Sequence, residues 1–120
     1  MDVPIFYPGA PFDFNVEMAK DIEAADTVSV LLWTYRFGRH LQGASDGDSD
    51  LNDVAVDHIE GPRFGVSVSG EKCRLLVSGF VHIRAVIKDP NGATKDVYEG
   101  VVAEIGNYYQ PTKEPTNGND

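Results

Sequence analysis

Asp46, Asp48 and Asp50 stand at alternate positions in the run SDGDSDLND, residues 45–53. A hard divalent cation takes several oxygens from one tight turn, so this is the one place where residue types and spacing suggest calcium. The run departs from an EF-hand loop, because Leu51 stands where the turn needs Gly and Asp57 where a bidentate Glu belongs. Asp, Gly and Ser also build solvated turns. On that reading the loop holds no ion, and no metal or other cofactor is expected.

Other chemistry-bearing residues are scattered. His40, His58 and His82 fall in three separate segments without ligand-like spacing. Ser29, Ser67, Ser69 and Ser78 stand in no G-x-S-x-G elbow, and Gly65 and Gly70 open no phosphate loop, since no Lys-Ser or Lys-Thr pair follows. Glu17, Asp21 and Glu23 read as one charged surface rather than a glycosidase acid pair. No combination of acid, base and nucleophile emerges, and the chain is not expected to be an enzyme.

The aromatic residues are more suggestive. Trp33, Tyr35 and Phe37 alternate, which places them on one face if the strand continues through them. Turned inward they anchor a core; turned outward they form a platform for a sugar or a protein. The opposite set, Val28, Val30, Leu32 and Thr34, is also largely apolar, so both faces of this strand are expected to be covered, one by the core and one by another subunit. A second aromatic group sits near the N-terminus. Residues 1–12 carry Ile5, Phe6, Tyr7 and Phe12 among three prolines, too apolar for water and too Pro-rich for the middle of a sheet. Such an arm needs a surface to lie on. Residues 106–120 are polar and turn-forming except for Tyr108 and Tyr109, which form a second anchor for a partner.

The elements that position these residues are mostly strands. Short apolar runs alternate with polar residues between 12 Gly and 7 Pro. Thr27–Arg36 is the clearest, rich in β-branched and aromatic residues. Val54, Val56 and Phe64–Val68 mark two more on either side of Gly61-Pro62, and Cys73–Val77 marks another. Phe80–Ile87 and Val97–Ile105 flank Asp89-Pro-Asn-Gly92, a hairpin signal because Asn and Gly accept positive φ. In that hairpin Val81, Ile83, Ala85 and Ile87 face inward, matched by Val97, Val101, Ala103 and Ile105 on the return. Val16–Ala25 has helical spacing at Met18, Ala19, Ile22 and Ala25, with Asn15 as N-cap. These predict an all-β, two-sheet antiparallel sandwich over residues 13–105, with one short helix, an N-terminal arm over 1–12 and a tail over 106–120.

The segment YPGAPFDFNVEMAKDIEAADTVSVLLWTY, with its Asp-Thr before a Trp-bearing strand, is similar to the start of small immunoglobulin-like accessory proteins of tailed bacteriophages. VSGEKCRLLVSGFVHIRAVIKDPNGATKDVYEGVVAEI resembles their final strands, where a Ser-Gly turn precedes a long hairpin. The resemblance spans about residues 7–105. It implies an immunoglobulin-like sandwich on a virion, as a capsid cement or decoration protein or as part of a fibre or tail, with no chemistry of its own.

Composition narrows the partners. A chain of 120 residues, 42% hydrophobic and 24% charged, is one ordinary domain. Its net charge of −9 repels nucleic-acid phosphate and anionic lipid, and no run approaches the roughly 18 apolar residues of a membrane span. The N-terminus lacks the basic start and apolar run of a secretion signal. Cys73 stands alone, which excludes an intrachain disulfide. The expected function is a virion structural protein that binds the outside of a phage head and stabilises contacts between capsid subunits. Its expected partners are the major capsid protein and further copies of itself. The alternative is a fibre or tail module that binds host-surface sugar through Trp33 or Tyr35, with calcium at Asp46, Asp48 and Asp50.

Overall fold

The computed structural model describes residues 3–47 and 52–106. The chain runs β1 (Ile5–Phe6), β2 (Phe12–Glu17), β3 (Thr27–Trp33), β4 (Leu41–Ala44), β5 (Ala55–Glu60), β6 (Arg63–Val68), α1 (Gly70–Cys73), β7 (Gly79–Lys88) and β8 (Thr94–Ile105). Two sheets form, one of five strands ordered β1-β8-β7-β3-β4 and one of three ordered β2-β6-β5. All pairings are antiparallel except β1 with β8, which is parallel. The protein is therefore mostly β and built on two sheets, as the alternating sequence predicts.

The core lies between the sheets. Val28, Val30 and Leu32 of β3 and Val81, Ile83, Ala85 and Ile87 of β7 project from one side; Phe12 and Val16 of β2 and Phe64, Val66 and Val68 of β6 project from the other. Burying a Val, Leu, Ile or Phe side chain contributes about 1.5–3 kcal/mol each, so this layer supplies most of the driving force. Where β4 crosses toward the second sheet, Gly43 lets the backbones meet: a Cβ there would lie 2.5 Å from the Val54 carbonyl oxygen. The amides of Asp53 and Val54 both donate to the Gln42 carbonyl at this crossing.

The hairpin closes as its sequence predicts, with a different turn. Within it only Gly92 has positive φ (86°), and the Asp89 carboxylate accepts from the amides of Asn91 and Ala93. A left-handed Gly that ends a four-residue turn in this way needs no second left-handed residue. On β8 the inward set departs from expectation. Ala103 and Ile105 are buried, but Val97 is 42% exposed and pairs with Val86, while Val101 pairs with His82, both on the outward side. The pairing slips by one residue between Val81 and His82, and a bulge reverses which alternate residues face the core.

Two further expectations are corrected. No helix forms over Val16–Ala25; Val16 and Glu17 belong to β2, paired with Phe64 and Arg63, and the chain then bends while the amides of Met18 and Ile22 donate to the Pro62 and Gly61 carbonyls. Met18 and Ile22 are still buried, so the four-residue spacing served the core without a helix. Cys73–Val77 is not a strand either. The helix among the described residues is α1, capped by Ser69, whose hydroxyl accepts from the Lys72 amide. Cys73 ends α1 fully buried.

Side chains then bind β8 to the bend after β2. The Asp96 carboxylate accepts from the amides of Ala19 (2.8 Å) and Lys20 (3.2 Å). Lys95 Nζ lies 2.5 Å from Asp26 Oδ2, a carboxylate only 3% exposed that also accepts the Glu23 amide. The hydrogen bond from Lys95, helped by the Glu23 amide, holds the Asp26 carboxyl below the usual carboxylate range, and Asp26 in turn raises Lys95.

Candidate protein-binding surface

The N-terminal arm lies on its own sandwich. The Pro4 carbonyl accepts from the Glu104 amide and the Phe6 carbonyl from the Gly106 amide, which zips β1 onto β8. Phe6 faces inward and stacks on Phe12 with ring centroids 4.7 Å apart. Phe12, expected on the arm as a partner contact, begins β2 and is 5% exposed. The reason is its pairing: opposite Val68 it shares the inward phase of Val16 and Phe64. The arm residues turned to solvent are Ile5, 63% exposed, and Tyr7, 45%.

Ile5 has a neighbour the sequence reading passed over. Glu104 pairs with Ile5 on one side and with Phe80 on the other, so all three share the outward face, and Phe80 is 53% exposed. The signal was present, since the alternation that puts Val81 inside puts Phe80 outside. Ile5 and Phe80 thus form an apolar edge on either side of one carboxylate. Tyr108 and Tyr109, the expected second anchor, lie outside the described residues.

The aromatic trio does not share a strand face. β3 ends at Trp33, and residues 34–40 turn back, with the Gly38 amide donating to the Tyr35 carbonyl. Tyr35 and Phe37 meet edge to face at 6.0 Å and are 56% and 84% exposed. Trp33 faces outward from the five-stranded sheet, half-buried between two imidazoles. His82, from β7 on one side, stacks at 5.6 Å and 12°; His40, which leads into β4 on the other, lies at 5.4 Å and 31°. The indole is flanked by rings from both neighbouring strands, so it is neither a core anchor nor an open platform. Strand order alone brings residues 33, 40 and 82 together.

The remaining candidates have local work. Asp46 accepts a hydrogen bond from Thr27 Oγ1 at 3.2 Å, while Asp48 and Asp50 lie outside the described residues. Among the described residues, no group of three or more His, Cys, Asp or Glu side chains gathers where a metal would sit. His58 sits in a bulge of β5 with φ 54° and is exposed, its Nε2 3.6 Å from Asp57 Oδ1. Ser78 donates to the Gly106 carbonyl at 2.7 Å, and Glu17 pairs with Arg63 at 3.3 Å. No helix among the described residues is long and apolar enough to cross a membrane.

The outward faces of the two sheets differ in charge. The three-stranded sheet presents Asp13, Glu17, Asp57 and Glu60 against Arg63 alone. The five-stranded sheet presents Arg84 and Lys88 against Glu99 and Glu104, a balanced set among Leu31, Val86, Val97 and Val101. No protein-family model matches the chain, and no curated protein sequence is significantly similar to it.

Proposed function

We propose that the chain is an immunoglobulin-like structural module of a tailed-phage virion, a decoration protein that binds the outer surface of the head and bridges capsid subunits. Strand order supports the immunoglobulin-like part. The first strand runs parallel to the last, and the five-stranded sheet facing a three-stranded one follows the variable-type plan, in which the sheet holding the final hairpin gains an extra strand beside the Trp-bearing one. Because a fold hosts many functions, the site must carry the rest.

The observation that carries it is the apolar edge of Ile5 and Phe80, held on a rigid β1–β8–β7 frame. A preformed edge loses little entropy on docking to a protein surface. Many copies on a regular shell make weak single contacts sufficient, and the charge of −9 keeps unbound copies in solution. The partners in this reading are the major capsid protein and further copies of the chain, assembled on the virion in the host cytoplasm, with no catalytic role.

Co-sedimentation of the purified protein with phage particles lacking it tests the reading. The wild-type chain should pellet with particles, and I5S/F80S should remain in the supernatant while still folded. A wild-type chain that never pellets overturns it. The exposed pair Tyr35 and Phe37 favours a second reading, a fibre or tail module that binds host-surface sugar. Glycan binding abolished by Y35A/F37A, with no particle binding, would decide for that one.

A further inference from the structure

The geometry points to the outward face of the five-stranded sheet as a self-association surface, on which a second copy of this chain sits face to face about a two-fold axis parallel to the strands. This deepens the proposal of a decoration protein acting in several copies. It does not depend on which virion surface is bound.

Arg84 lies near the middle of β7, the central strand of the sheet, and bonds directly to Glu99, its cross-strand partner on β8. Around this pair the outward side chains are Leu31 and Val86, both half-buried, with Val101, His82 and Trp33 toward one end and Val97, 42% exposed, toward the other. An ion pair of opposite charges placed side by side matches its own rotated image. With the axis over the β7–β8 seam and along the strands, Arg84 of each copy stands over Glu99 of the other, and Val97 of each stands over Val86. An axis across the strands would instead put Arg84 over Arg84. Charge therefore selects one of the two symmetric arrangements.

Charge also selects the face. Two copies that each carry −9 repel one another through the acidic three-stranded side, whereas the five-stranded side is charge-balanced. Its size is adequate. Five strands about 4.8 Å apart, from two to 12 residues long at about 3.3 Å per residue, offer a plane of roughly 550 Å². A specific interface removes about 800 Å² of accessible surface from each partner, and a plane of this size with its side-chain relief comes close to that.

The test measures the molar mass of the full chain by light scattering and sedimentation equilibrium from about 1 μM to 1 mM, the range of weak to moderate interfaces. The wild type should form a dimer. R84E and E99R should each weaken it at least tenfold, because each sets like charges opposite one another twice. Mixed in equal amounts, the two variants should recover a heterodimer. Across its axis the new carboxylate of R84E meets the new guanidinium of E99R, and the Glu99 that R84E keeps meets the Arg84 that E99R keeps. Circular dichroism of each variant confirms that it is folded. A wild type that stays monomeric overturns the inference, as does a dimer that both single variants keep unchanged or a mixture that recovers nothing. If the monomer buries this face only on phage particles, as read by labelling of Lys88, the face belongs to the capsid partner and self-association is wrong. Particle binding is measured separately, so either proposal fails on its own.

Discussion

Trp33 and His82 lie ring on ring across the β3–β7 register, with centroids 5.6 Å apart and planes within 12° of parallel. Aromatic rings packed on an indole cover it from water. The emission of Trp33, the protein's single tryptophan, should therefore move to longer wavelength in the H40A/H82A variant, which uncovers the indole. Emission unchanged from the wild type would show that the stack is not populated in solution.

Asp26 and Lys95 give a pH window for stability. The Asp26 carboxyl is lowered by Lys95, so its contribution is complete above its unfolded value of 3.8 and is lost as pH falls through the lower folded value. Lys95 is raised by Asp26, so its contribution is complete below 10.5 and is lost as pH rises through the folded value. Thermal melts of wild type and D26N should differ by a constant amount between those limits and converge in strong acid, where Asp26 is protonated in both states. A gap that persists at the lowest pH would contradict the assignment.

Phe12 and Ile5 belong to one proposed arm but do different work. F12A should cost about 3–5 kcal/mol by chemical denaturation, since it empties a core position stacked on Phe6. I5S should change stability by no more than about 0.5 kcal/mol, as exposed sites usually do.

Two glycines separate close approach from turn strain. G43A should cost about 1–3 kcal/mol, because its methyl meets the Val54 carbonyl at 2.5 Å. G92A has open space and pays only for a left-handed backbone, about 1–2 kcal/mol. Urea titrations of both should show destabilisation, and a neutral G43A would mean that the β4 crossing is looser than described.

Several elements were legible in the residues themselves. The β7–β8 hairpin, the inward phase of Val81 to Ile87, and the β5–β6 pair around Gly61-Pro62 all follow from a period of two and from turn residues, which are local properties. Phe80 was legible in the same alternation, as the outward neighbour of Val81.

Tertiary structure decided what local pattern leaves open. Both faces of β3 are apolar, so only burial in the core shared by the two sheets chose Val28, Val30 and Leu32 for the inside and left Trp33 outside. Met18 and Ile22 sit four apart as in a helix, yet their amides found the Pro62 and Gly61 carbonyls, non-local acceptors that no window of sequence contains. The bulge opposite Val81 and His82 reversed the phase of β8, which depends on the partner strand as much as on β8 itself. His82 is far along the chain from Trp33 and His40, and the three meet because β4, β3 and β7 are neighbours in the sheet. Side-chain alternation is set residue by residue, whereas which face is covered and which strands adjoin is set by the sum of long-range contacts.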